Sequence, residues 1–374
     1  MSLLWYLINS GKFNSKKILL LDKRLKPDDS KTWCFWDNGS YQISETIYHT
    51  WPDIRVVTTR EELKETPAEY KYHCVRSLDF SAKMLKMASE QENVTLLETD
   101  IIDFDVRNST ATAITSAGDF TSKYIFQSVI KPNKGDHQKS ELSLNQHFLG
   151  WEIEVADPLF DPNEALLMDF EVSQKHGFAF MYILPFSSNR ALIEYTLFTE
   201  TLLSKEEYEA EIEAYLLKKY QLGRQNYSIM RKEFGNIPME DRRYDRTYCK
   251  NVFNCGMVGG HTKPSTGYTF LRIQHECLKI LKALESGRPI PESDVSSYRF
   301  RVYDMMLLYN LINDHEISLK IFHDLFKKNR FDMVFKFLDE KTSFPEELAL
   351  FTSFSPVPFL RSIYRMKHRI FTGA

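Results

Sequence analysis

Hydrophobic and polar positions follow a period of two from His147 to Phe198, and a helical period in several other parts of this 374-residue chain. Within the first stretch, Gly177 to Leu184 and Arg190 to Phe198 predict a β-hairpin around Pro185-Phe186-Ser187-Ser188-Asn189. Glu206 to Leu217 predicts a helix, and residues 228 to 239 predict a return to extended chain. At the start, Met1 to Ile8 places Leu3, Leu4, Leu7 and Ile8 on one helical face, with Gly11 just past its end. Lys17 to Asp22 is a continuous apolar run closed by an acid, which suits a strand of a parallel sheet buried on both faces. Asp79 to Glu90 predicts a helix with Asp79 as its cap. Val94–Leu97, Ile101–Val106, Thr110–Thr115 and Tyr124–Phe126 predict short strands of a meander. After Pro291 the pattern is mostly helical, with loops at Ser343-Phe344-Pro345 and Ser355-Pro356-Val357-Pro358.

Apolar residues make up 43% of the chain, enough for the cores of two or three packed units. A formal charge of −3 gives no global attraction to nucleic acid. The five cysteines (34, 74, 249, 255, 277) are odd in number and form no Cys-x-x-Cys pair. That favours reduced thiols in a cytoplasmic protein, and the ten scattered histidines suggest no metal site. No apolar run approaches the roughly 20 residues a spanning helix needs.

The most informative segment is Gly256-Met257-Val258-Gly259-Gly260-His261-Thr262-Lys263-Pro264-Ser265-Thr266-Gly267-Tyr268-Thr269-Phe270. It lies between a short apolar strand at Val252 and a helical pattern from Leu271. Glycines and small residues there let a polar or anionic cofactor edge approach free backbone N–H groups. Glu194 shares its strand face with Leu192, Thr196 and Phe198, where burial raises a carboxyl pKa. A surface Glu paired with Lys or Arg is the competing reading of the same pattern.

Gly-Gly-x-Thr-Lys-Pro-Ser-Thr-Gly-Tyr-x-Phe resembles the late flavin-binding segment of the flavin-dependent lycopene cyclases, and other segments match that family in order. They are Thr32-Trp33-Cys34-Phe35-Trp36; Gln146-His147-Phe148-Leu149-Gly150; Met168-Asp169-Phe170; Tyr182-Ile183-Leu184-Pro185 with Leu192-Ile193-Glu194-Tyr195-Thr196; and Gly235-Asn236-Ile237-Pro238-Met239. The resemblance implies an α/β (α+β) flavoprotein similar to the p-hydroxybenzoate-hydroxylase type. Such a protein has a Rossmann-like FAD domain, an antiparallel substrate-binding sheet and a helical C-terminus. The implied divisions are 1–36, 75–130 and 245–290 for the FAD domain, 37–74 and 131–244 for the substrate sheet, and 291–374 for the helices. Residues 131 to 142 form a polar crossing between units.

By that resemblance the activity is lycopene β-cyclisation with reduced FAD, NAD(P)H as reductant and no net redox change. Glu194 is the implied acid, with Asp169 as an auxiliary acid or base or a structural carboxylate. Asp22 is the ribose ligand, and Gly259, Gly260, Pro264, Thr266 and Gly267 lie beside the flavin. A carotenoid substrate further implies peripheral membrane contact. Phe322, Leu325, Phe326, Phe331, Val334, Phe335 and Leu338, interleaved with Lys327, Lys328, Arg330 and Lys336, form one candidate face. Arg361, Arg365, Lys367 and Arg369 add basic charge. Core packing accounts for the apolar positions equally well. A related flavin hydroxylase or halogenase, or a remnant unable to hold flavin, is the alternative. The family's first strand and Gly-x-Gly-x-x-Gly turn are absent from this sequence, so truncation of that segment is expected, with weakened stability or flavin content.

Overall fold

A computed structural model describes residues 1–129, 140–292 and 295–372; the expected polar crossing lies, up to residue 139, outside the described residues. The first half runs α1 (Ser2–Asn9), β1 (Ile18–Asp22), β2 (Thr32–Asp37), β3 (Ile47–Trp51), β4 (Asp53–Val57), β5 (Glu62–Glu65), β6 (Lys71–Arg76) and α2 (Ser77–Ser89). It continues with β7 (Val94–Glu98), β8 (Ile101–Arg107), β9 (Thr110–Thr115), β10 (Gly118–Ser122) and β11 (Ile125–Gln127). The middle holds β12 (Ser143–Val155), β13 (Glu164–Asp169), β14 (Phe178–Pro185), β15 (Arg190–Thr199), α3 (Lys205–Tyr220), β16 (Tyr227–Glu240), β17 (Thr247–Cys249) and β18 (Val252–Asn254). Helices finish the chain: α4 (Phe270–Ser286), α5 (Tyr298–Asn313), α6 (His315–Lys328), α7 (Phe331–Leu338), α8 (Phe344–Phe351), α9 (Pro356–Arg365) and α10 (Lys367–Thr372).

A seven-stranded sheet, ordered β16-β12-β15-β14-β13-β4-β5, divides the protein. Its strands are antiparallel except that β13 runs parallel to β4. On β15 the alternation separates two cores. Ala191, Ile193, Tyr195 and Leu197 pack with Tyr208, Ile212, Tyr215 and Leu216 of α3. Leu192 and Phe198 face a second core shared with Trp36, Trp51, Tyr72 and the C-terminal helices.

The other half is built from smaller ladders. β1 pairs in parallel with β7, β11 with β18, and β8-β9-β10 form the antiparallel meander. Helices α1, α2 and α4 contribute Tyr6, Phe80 and Phe270 to a core with Phe35 of β2. β1 is less enclosed than its apolar run predicts. Among the described residues its one ladder neighbour is β7, and Leu19 is 38% exposed.

Several local expectations change. Helix α2 starts at Ser77 after an extended Arg76, so Asp79 sits in the first turn, where its charge complements the helix dipole. The Ser-Pro segments expected as loops are helix starts. Ser343 makes a capping box with Glu346, and proline in the first turn of α8 and α9 costs no helical hydrogen bond.

A larger correction concerns the membrane face. Phe322, Leu325, Phe326, Phe331, Val334 and Phe335 are buried in the core, and Leu338 packs against it. Their helical spacing serves packing on the sheet. The exposed apolar stripe is on α9 instead, with Val357 at 67%, Leu360 at 62% and Tyr364 at 67% exposure. Arg361, Arg365 and Lys367 are exposed beside it.

Candidate functional site

The row of residues crossing the seven-stranded sheet at Glu194 carries the most unusual chemistry in the protein. Gly150 of β12 pairs with Glu194 of β15 on one side and Glu233 of β16 on the other, while Tyr182 of β14 flanks Glu194. Glu194 is only 6% exposed and Glu233 is buried. The two side chains are hydrogen-bonded to each other. Burial pushes the Glu194 carboxyl well above the usual carboxylate range, and the adjacent Glu233 adds to that shift. Thr32 Oγ1 donates to Glu233 Oε2 at 2.8 Å, and Arg231 Nη1 lies 2.5 Å from the same oxygen.

Polar side chains lead away from this row in two directions. Behind it, Glu152 is fully buried and holds three guanidinium groups. Arg190 Nε lies 2.5 Å from Oε1, Arg231 Nε lies 3.0 Å from Oε2, and Arg76 also binds Oε2. Towards the helices, Tyr182 shares a 2.6 Å hydrogen bond with Tyr72, which shares one of 2.5 Å with Tyr268. Cys34 bonds to Tyr182 from the other strand layer. Burial pushes the Cys34 thiol and all three phenols up, so they are neutral donors near pH 7.

Tyr268 belongs to the Gly-rich segment, which joins β18 to α4. Gly260 and Gly267 both take φ of +74°, a left-handed conformation that favours glycine. A Cβ at Gly259 would strike the Asn254 carbonyl. The Lys263 carbonyl accepts the Gly267 amide at 2.8 Å and closes the turn over Pro264 and Thr266, which are half-buried. Lys263 fastens the loop to the C-terminal part, with its ammonium 3.0 Å from both Asp304 and Glu340.

Two observations test this loop as a flavin cradle. Gln146 Oε1 is buried with no donor, and it occupies the space a Cβ at Gly267 would need. Helix α4 begins with no side-chain cap on its first amides. A flavin ring edge, with an N–H donor and carbonyl acceptors, matches an unmet acceptor beside unmet amides. The residues present therefore fit the ring end of FAD. Asp22 is exposed at the end of β1, with one carboxylate oxygen taking the Arg24 amide at 3.0 Å.

Asp169 is not brought to Glu194. It is buried on the α3 side of the sheet, where Tyr215 donates to Oδ2 at 2.7 Å and Lys219 lies 3.4 Å away. The second carboxyl beside Glu194 is Glu233, which the sequence reading passed over. Gly150 and Gln146 sit together in one matched motif, and a glycine in a long strand is the available signal for a close approach across it.

Comparison with known proteins follows this geometry. A family model described as "Lycopene cyclase protein" matches residues 14–364. The chain is 26% identical over 264 residues to a lycopene beta-cyclase of Pantoea ananas, covering 68% of this chain and 64% of that protein. It is 25% identical over 190 residues to a lycopene beta-cyclase of a Paracoccus species, covering 49% of this chain and 45% of that protein. The matched stretches thus span less than two thirds of either relative. Among solved structures, a geranylgeranyl bacteriochlorophyll reductase-like protein from Thermoplasma acidophilum superposes with a TM-score of 0.57 at 12% identity. It covers 98% of this chain and 95% of its own. A halogenase PltM variant in complex with FAD gives 0.58 at 12% identity, covering 91% and 81%. At these identities the likeness is one of fold, the mixed α/β flavoprotein fold with a helical C-terminus.

Proposed function

The chain belongs to the lycopene cyclase protein family, and on that premise we propose that it closes the linear ends of lycopene into β-rings by acid catalysis. The observation that carries this reading is a buried carboxyl, Glu194, whose proton affinity burial and Glu233 raise, on a sheet face that also carries Tyr182, Leu192 and Phe198. Ring closure needs a proton donor that is still protonated near neutral pH, a water-poor site, and neighbours that tolerate positive charge. Glu194 donates its proton to the terminal double bond. The next double bond traps the cation, and loss of a ring proton leaves the cyclic olefin. Tyr182, Tyr72, Tyr268 and Trp36 offer π-faces to that charge.

FAD would be held by Asp22 at its ribose and by Gly259, Gly260, Pro264, Thr266, Gly267 and Gln146 at its ring. When bound and reduced, with NAD(P)H as the source of electrons, the flavin supplies an electron-rich ring with no net electron transfer. Asp169 fits a supporting role, anchoring α3 to the sheet through Tyr215 and Lys219. Expression in lycopene-making cells tests the reading. Pigment of unchanged mass with a cyclic-end spectrum, and a yellow purified protein, are expected. A product of altered mass would favour flavin redox chemistry, and a colourless protein would remove the flavin from the account.

Access to a membrane-dissolved polyene belongs to the same reading. Among the described residues no helix is long and apolar enough to cross a membrane. Contact from the cytoplasmic surface through α9 is supported by exposed Val357, Leu360 and Tyr364 beside Arg361, Arg365 and Lys367. The protein should sediment with anionic vesicles at low salt and be partly released at high salt, because screening weakens the charge contribution. Replacing Val357 and Leu360 by aspartate should abolish that sedimentation; equal binding to neutral and anionic vesicles would exclude the charge contribution.

A further inference from the structure

Glu233 has no assigned step in the chemistry above, yet it is buried in the same cross-strand row as Glu194. Gly150 separates them. A Cβ there would come within 2.7 Å of Glu194 Cγ and 2.9 Å of its Oε1, so the missing side chain is the space that the Glu194 side chain occupies over β12. A hydrogen bond between two carboxyl groups requires a proton on one of them. Glu233 receives the Thr32 hydroxyl at 2.8 Å and pairs with Arg231 at 2.5 Å. Glu194 has no ion pair among the described residues, so the proton resides there.

We propose that Glu233 is the positioning residue that keeps the proton on Glu194 and draws it back after ring closure, the pair carrying one proton at rest. The proposal rests on Glu194 being the acid. In the forward step the Glu194 O–H bond breaks, and the alkene electron pair forms the new C–H bond. Two facing carboxylates remain, whose repulsion makes Glu194 a stronger base. The electron pair of the next double bond forms the ring-closing C–C bond, a C–H proton beside the resulting ring cation passes to Glu194, and that C–H electron pair becomes the ring double bond. The pair is restored, and no oxidant or reductant is consumed.

The groups facing Glu194 set the expected sign. Glu233 raises its proton affinity, whereas Arg231 and Lys31 lower it. Cys34, Tyr182 and Tyr268 are neutral, and the C-terminal helices add apolar Leu308 and Phe322 to this face. Removing Glu233 therefore leaves burial to raise its proton affinity against Arg231 and Lys31, and its proton is lost at lower pH.

The test is an infrared pH titration of the purified full chain. The protonated-carboxyl band is assigned to Glu194 by its loss in Glu194→Gln. In Glu233→Gln the midpoint should fall by about one pH unit or more, a tenfold change in acidity. The alkaline limb of the cyclisation rate should fall with it. Thr32→Val, which removes the hydroxyl donor to Glu233, should move the midpoint upward, and it provides the test if Glu233→Gln does not fold. A rate lowered at every pH with an unmoved midpoint is the signature of a merely structural glutamate, and it would overturn the proposal. So would the absence of a Glu194 band near neutral pH. A band that moves as described in a protein making no cyclic carotenoid would leave the pair standing and remove the cyclase reading.

Discussion

Exchanging Glu194 for glutamine should abolish ring closure while leaving the fold and flavin content unchanged. The amide matches the carboxyl in shape, and its NH₂ can still donate to Glu233, so the cross-strand row keeps its hydrogen bond. It carries no transferable proton. Loss of a general acid costs on the order of 10²–10⁴ in rate, and burial leaves little water near Glu194 to replace it. Pigment extracted from lycopene-making cells should accordingly be unconverted. Near-normal conversion by this variant would exclude Glu194 as the proton donor.

The largest effect on stability is expected at Glu152. Its carboxylate is fully buried; burial opposes its charge, but Arg231, Arg76 and Arg190 outweigh that and hold it below the ordinary value of 4.5. Glu152→Leu would strand guanidinium groups that the fold has already desolvated. Arg76, for example, is 8% exposed and lies 4.1 Å from the centre of the Tyr48 ring. Breaking a buried ion pair costs about 3–5 kcal/mol, against a typical total stability of roughly 5–15 kcal/mol. Arg190 is 34% exposed, so solvent moderates its share. Because the folded-state pKa is depressed, the stabilisation is complete above the unfolded value and fades as pH falls through the folded one. Urea midpoints should therefore separate wild type and variant widely at pH 7 and converge in acid. A constant gap across that range would mean that Glu152 acts through packing alone.

Some of this architecture is written locally and some is not. The β14–β15 hairpin was legible because both its faces are buried in apolar cores and its turn is rich in polar residues. The same alternation correctly put Glu194 among Leu192, Thr196 and Phe198. Asp169 could not be placed by counting, because β13 shifts register between Leu166 and Asp169 and the parity is lost. Glu233 sits in Arg231-Lys232-Glu233, which reads as a solvated edge. Its burial depends on a glycine in a different strand. The parallel pairing of β13 with β4 joins segments about a hundred residues apart and has no local signal at all. In the C-terminal helices, the spacing that fits a bilayer is the same spacing that fits a sheet.

Strand β16 is the last-made member of the seven-stranded sheet, and it supplies Glu233. During synthesis, β12 and β15 emerge and can pair before it exists, with Glu194 lying over Gly150 and an open edge beyond. At that stage the carboxyl lacks the partner that adds to its proton affinity. The share of its proton affinity that Glu233 contributes comes only when the edge strand docks. A ribosome-bound chain ending before Tyr227 would therefore hold the candidate acid with Tyr72 and Tyr182 but without the second carboxyl that helps to keep its proton in place.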